Sequence, residues 1–168
     1  IRGFHLPHVY SPWDILGFGK VTKFNGPAVV YDDTGTFEAI SISDILLKKG
    51  LKVTMVGRGD SIGARLPFPP VTAGAARERL YSGNFDFIGG HHLLAIEENR
   101  VEIGVMFTER TRKIDAYTVV FVGHNSPNRE LWVSLKGNGP EIHMIGDVRG
   151  HNSIMSAIHA GNSLGRSI

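Results

Sequence analysis

Pro27-Ala28-Val29-Val30-Tyr31-Asp32-Asp33-Thr34-Gly35 is the stretch that decides the fold. Its apolar run is short, β-branched and without polar alternation, the pattern of a strand buried on both faces of a parallel sheet. The run breaks at two carboxylates, a Thr and a Gly, which read as a turn. A helical pattern follows, with Ile40, Ile42, Ile45, Leu46 and Leu47 on or near one face, and it ends at Lys48-Lys49-Gly50. Cations in the last turn and a Gly just past it suit a helix C-terminus. Leu51-Lys52-Val53-Thr54-Met55-Val56 is then a second strand, closed by Gly57-Arg58-Gly59-Asp60. Two strands joined through a helix in about 30 residues form a βαβ unit, and that crossover requires parallel strands.

Downstream, a loop with Pro67, Pro69 and Pro70 leads to a predicted helix over 72–81 and a short strand over 85–88. Alternating segments at 93–96, 101–107 and 113–117 predict a three-stranded antiparallel meander. Thr118-Val119-Val120-Phe121-Val122-Gly123 reads as a further buried strand, and 129–135 as a helix. The end of the chain predicts a strand over Ile142-His143-Met144-Ile145, the corner Gly146-Asp147, and a helix over 154–166. Upstream, 1–26 reads as an extended linker with one helical turn begun by Ser11-Pro12, Ser as N-cap and Pro at the first helical position.

The composition narrows the function classes. Of 168 residues, 42% are hydrophobic and 20% charged, the balance of an ordinary globular chain. No apolar run approaches the roughly 18 residues of a membrane span, and 1–5 lacks the pattern of a secretion signal. Beginning on Ile1 without an initiator Met, the chain is expected to lie inside a longer polypeptide. With no Cys, disulfides, thiolate clusters and Cys nucleophiles are excluded within it, and a cytoplasmic setting is expected. The 18 basic and 16 acidic residues are scattered without a basic stripe, so neither a nucleic-acid nor a membrane partner is expected.

The βα turn is where a dinucleotide fold binds pyrophosphate, using glycines for tight turning and close approach. On that fingerprint Asp32, Thr34 and Phe37 fall at the three glycine positions, with Gly35 between them. Carboxylates at a helix N-terminus take the place of an anion and repel a pyrophosphate. Capping of the helix by Asp32 and Asp33 is the reading preferred over a catalytic role. Arg58 stands where an acidic residue holds the ribose hydroxyls of NAD; it is either an acceptor for the 2′-phosphate of NADP or a solvated surface charge. Gly146-Asp147, before a helix of small residues, would bring an Asp to the ribityl or pyrophosphate region of a flavin, or would cap that helix. His91, His92, His151 and His159 show no metal-site spacing, and no Walker loop or nucleophile elbow is present.

Ser11-Pro12-Trp13-Asp14-Ile15-Leu16, Val29-Val30-Tyr31-Asp32-Asp33-Thr34-Gly35, Leu51-Lys52-Val53-Thr54, Val120-Phe121-Val122-Gly123 and Ile145-Gly146-Asp147, in that order, resemble the C-terminal half of the trimethylamine dehydrogenase and 2,4-dienoyl-CoA reductase (NADH:flavin oxidoreductase) family. The likeness runs over nearly the whole chain, and Tyr31-Asp32-Asp33-Thr34-Gly35 is its most specific piece. It implies an α/β, Rossmann-like FAD/NAD(P)-binding fold with a parallel sheet, the antiparallel meander and a partial second nucleotide-binding lobe. Residues 1–26 are then linker and part of an FAD/ADP-type lobe, 27–123 an NAD(P)-type lobe, and 124–168 a return segment completing part of the FAD/ADP-type lobe. The resemblance further implies FAD or ADP, and optionally NAD(P), as cofactors. Gly146, Asp147, Gly35, Thr34, Arg58 and Gly123 are the implied binding residues, with no catalytic residue and no metal ligand. FMN and an iron–sulfur cluster would belong to a barrel domain in the N-terminal part of the same polypeptide, a homo-oligomer at full length. The alternative is a structural or ADP-binding lobe with a degenerate dinucleotide site.

Overall fold

The computed structural model describes residues 1–19, 23–137, 139–150 and 153–168. Its contacts divide it into two units, Ile1–His124 and Asn125–Ile168. In chain order the first unit contains β1 (Val9–Tyr10), α1 (Pro12–Ile15), β2 (Ala28–Asp32), α2 (Phe37–Lys48), β3 (Val53–Gly57), α3 (Pro69–Thr72), α4 (Gly74–Tyr81), β4 (Phe85–Ile88), β5 (His91–Ile96), β6 (Arg100–Val105), β7 (Thr111–Asp115) and β8 (Thr118–Val122). The second contains α5 (Glu130–Leu135), a 3₁₀ turn (Gly146–Arg149) and α6 (Ile154–Gly165).

The first unit holds a five-stranded parallel sheet in the order β1-β8-β2-β3-β4 and a separate antiparallel sheet β5-β6-β7. The expected βαβ unit and meander are therefore both present. β2 is central and buried at all five positions, because its side chains face two different cores. Val30 pairs with Met55 and Val120, and this row packs with Ile40, Ile42 and Leu46 of α2 and Leu80 of α4. Val29 and Tyr31 face the other way, onto Leu93, Val101 and Ile103 of the meander. The layers are helices, parallel sheet and antiparallel sheet. Each fully buried Val, Ile or Leu in them contributes about 1.5–3 kcal/mol, which outweighs the weak helix preference of the β-branched residues in α2.

The helix ends follow local chemistry. Ser11 and Asp14 form a reciprocal capping box at α1, with Pro12 in its first turn. At the far end of α2, Gly50 sits at φ +81°, and its N–H and that of Leu51 donate to the carbonyls of Leu47 and Leu46. That pattern is the left-handed helix stop, with Leu46 and Leu51 making its apolar contact.

Three details differ from the sequence expectation. Val9 and Tyr10 pair parallel with Val119 and Val120, so part of 1–26 extends the sheet; a two-residue strand is too short to show a period. The helix expected over 72–81 is two pieces broken at Ala73, where the Thr72 hydroxyl donates to the Pro67 and Phe68 carbonyls and closes the first turn. Residues 142–145 do not form a strand. A strand exists only through a ladder to a neighbour, and these residues pair with no strand among those described.

In the second unit Arg129 donates from Nε to the Val148 carbonyl at 3.0 Å and from Nη2 to the Arg149 carbonyl at 3.5 Å, tying the start of α5 to the 3₁₀ turn. None of its two helices and the turn contains a buried residue. No helix among the described residues is long and apolar enough to cross a membrane.

Candidate functional site

The strand order reverses at β2, with β3 and β4 on one side and β8 and β1 on the other. The crevice outside the carboxyl ends of strands at such a reversal is where open α/β sheets bind ligands. Thr34, Gly35, Arg58 and Gly123, four of the residues singled out from the sequence, all sit on the loops at this edge.

Asp32 ends β2 with its side chain turned inward and buried. Its Oδ1 accepts from the Gly35 N–H at 2.8 Å, the Thr34 N–H at 3.0 Å and the Thr34 hydroxyl at 3.0 Å. Burial raises its carboxyl above the ordinary value, against these three hydrogen bonds, which favour the ionised form. Burial first, and then the neighbouring Asp32, also raise Glu38 in the first turn of α2. The expected capping of α2 by Asp32 and Asp33 does not occur. Thr36 is the N-cap and supplies no side-chain bond, because Asp32 lies too far upstream and spends its oxygen on the turn instead.

Asp33 lies differently. Its Oδ1 is 3.2 Å from Arg58 Nη1 and accepts from the Tyr31 hydroxyl at 3.3 Å. Its N–H donates to the Val122 carbonyl at 3.0 Å, fixing the turn to β8. Tyr31 is pushed up to about 12, by burial first and by the Asp33 charge second. Asp33 is thus paired with a guanidinium, while Asp32 is held by N–H and O–H donors and burial still favours its protonated form. The repulsion of an anion expected from the sequence is correspondingly weaker.

Gly35 adopts φ +66°, a conformation that side chains resist. A Cβ there would also come within 3.2 Å of Arg65 Cγ. Arg65 donates its N–H to the Gly35 carbonyl at 2.9 Å, and its Nη1 reaches within 3.4 Å of His124 Nε2, just beyond β8. Gly123 gives room to the Phe121 ring, since a Cβ there would fall 2.6 Å from Cε1. Sequence reasoning missed Asp33 as an ion-pair partner, along with Tyr31, Arg65 and His124. Arg65 and His124 lie on irregular loops, where no period marks them.

Gly146 and Asp147 belong to the second unit. Gly146 has φ +68° and opens the 3₁₀ turn, and the exposed Asp147 accepts the Gly150 N–H on its carbonyl at 2.8 Å. An open cavity of about 220 Å³ in this unit is lined in part by His143, Ile145, Arg149, Ser163 and Ser167. His91 Nδ1 is 2.6 Å from the Gly89 carbonyl, while His92 Nδ1 is buried without a partner. His159 is exposed on α6, and His151 lies outside the described residues. Among the described residues no three His, Asp or Glu side chains group to hold a metal. The edge offers donors, cations and carboxylates for binding.

No family model and no curated protein sequence matches the chain. Solved structures do. The 6-hydroxypseudooxynicotine amine oxidase of Pseudomonas geniculata N1 superimposes with a TM-score of 0.85 at 25% identity, over 98% of this chain and 25% of that one. A 2-naphthoyl-CoA reductase gives 0.80 at 25% identity, over 100% of this chain and 24% of that one. In structure the chain is similar to the C-terminal region of these proteins, which are members of the trimethylamine dehydrogenase and 2,4-dienoyl-CoA reductase family. Histamine dehydrogenase of Rhizobium sp. 4-9 shares the fold, with a TM-score of 0.82 at 21% identity over 100% of this chain and 28% of that one. By their names all three are oxidoreductases. The chain spans about a quarter of the length of these family structures.

Proposed function

We propose that the chain is the nucleotide-binding portion of a flavin-dependent oxidoreductase, serving electron transfer to or from an FMN domain of the same polypeptide. One observation carries the reading: the parallel order reverses at β2, where the Gly35 turn, the start of α2 (whose N-cap Thr36 makes no side-chain capping bond) and Arg58 share the carboxyl edge. That edge would take the adenosine diphosphate end of a nicotinamide dinucleotide, with Thr34, Gly35 and Gly123 lining the turn. Helix N–H groups and a close-approach Gly suit phosphate oxygens, and pairing of Asp33 with Arg58 together with the burial of Asp32 lessens the repulsion of an anion. Residues 27–123 would form this NAD(P)-type lobe. Residues 1–26 and 124–168 would contribute to an FAD/ADP-type lobe in which Gly146 and Asp147 contact flavin or ADP. The whole protein would be a cytoplasmic homo-oligomer whose barrel carries FMN and an iron–sulfur cluster.

Titration of the purified chain with ADP, NADH, NADPH and FAD by calorimetry tests this. Micromolar binding of a reduced nicotinamide is expected, and its absence would overturn the electron-entry role of the first unit. A second reading, a structural or ADP-binding lobe with a degenerate dinucleotide site, is favoured by Asp32 and Thr34 standing where the fingerprint has glycines. It predicts binding of ADP alone, or of nothing.

A further inference from the structure

The mouth of the proposed site is an ion pair. Arg58 directly follows Gly57, the last residue of β3. From the end of this second strand, parallel dinucleotide folds contact the adenosine ribose. A free guanidinium there would attract a 2′-phosphate, but Arg58 Nη1 is 3.2 Å from Asp33 Oδ1. The carboxylate is the fixed member of the pair. Its side chain is 24% exposed against 54% for Arg58, and it is anchored by the Tyr31 hydroxyl and by its own N–H bond to the Val122 carbonyl. A 2′-phosphate would have to displace Asp33 from Arg58 and then lie against a carboxylate still held by the Tyr31 hydroxyl, a like-charge juxtaposition. A 2′-hydroxyl could instead donate to that carboxylate.

We infer that Asp33 is a specificity-determining residue that excludes a 2′-phosphate, so that the site takes an adenine dinucleotide with a free 2′-hydroxyl. This rests on the nucleotide-binding reading above and adds the choice between the two nicotinamide cofactors, which differ only in that phosphate.

The test is calorimetric titration of the 168-residue chain with NADH and NADPH, in wild type and variants. Wild type should favour NADH. Asp33→Asn keeps an oxygen for the Tyr31 hydroxyl, removes the charge and should shift the NADPH-to-NADH affinity ratio about fivefold or more toward NADPH. Asp33→Ser should shift it the same way if the Asn variant folds poorly by circular dichroism. Arg58→Gln added to Asp33→Asn should return the ratio toward that of wild type. A wild-type preference for NADPH, or a ratio unchanged by both Asp33 substitutions, overturns the inference and leaves nucleotide binding standing. Failure of every chain to bind either dinucleotide overturns both.

Discussion

Asp32 is the most tightly held side chain at the carboxyl edge, and its titration has an unusual sign. Burial raises its folded-state pKa above the 3.8 of a free Asp, in spite of the donors from Gly35 and Thr34. A raised pKa means that the fold favours the protonated form. The stabilisation is then fully present below pH 3.8 and is lost as pH rises through the folded-state value. Asp32→Asn keeps an acceptor for the Thr34 and Gly35 N–H groups and never ionises. Its stability relative to wild type should therefore improve between about pH 3 and about pH 7, read as urea midpoints at the two pH values. A difference unchanged between them would show that ionised Asp32 carries no burial penalty. The inward turn of Asp32 was not legible in the sequence, which offered two adjacent carboxylates with no mark to tell them apart. Only the β2 register, with Asp32 opposite Gly57 and Val122, makes one a turn anchor and the other a partner for Arg58. The ion pair itself joins two loops across the end of β3, and side chains so separated in sequence carry no local sign of each other.

At the scale of elements, legibility followed burial. β2, β3, β8 and α2 could be read because each is packed on a face that demands a run or stripe of apolar residues, as Val29, Val30, Val119 and Leu46 show. The meander could be read from its alternation. Residues 142–145 have an apolar composition but no ladder, and composition alone cannot create a neighbour. The stop of α2 gives a clean test of local chemistry. Nothing lies within 4 Å of a Cβ added at Gly50, and its φ is +81°. Gly50→Ala therefore isolates the backbone cost of a left-handed residue, expected to be about 1 kcal/mol of unfolding free energy by denaturant titration. A neutral substitution would mean that the helix end relaxes out of the left-handed stop. The contrast is Gly3, where an added Cβ would fall 2.0 Å from the Ile96 carbonyl, so a loss there would mix contact with conformation.

At the scale of the molecule, the two units differ in kind. Every buried hydrophobic residue among those described lies between Ile15 and Val122, inside the first unit. The helices and turn of the second bury none, and Leu131, Val133, Ile154, Met155 and Ile158 are each more than half exposed. A segment of this size without a disulfide can bury too little apolar surface to offset the entropy of ordering its chain. The separate peptide 125–168 should accordingly show no cooperative thermal transition by circular dichroism, while 1–124 unfolds cooperatively. Exposed apolar side chains also bind hydrophobic dyes, so the 168-residue chain should raise dye fluorescence above that of 1–124 under native conditions. A sharp transition in the isolated peptide would mean that its helices build a core of their own. Absent that transition, the exposed apolar side chains of α5 and α6 find too little apolar surface among the described residues of their own unit to fold it alone.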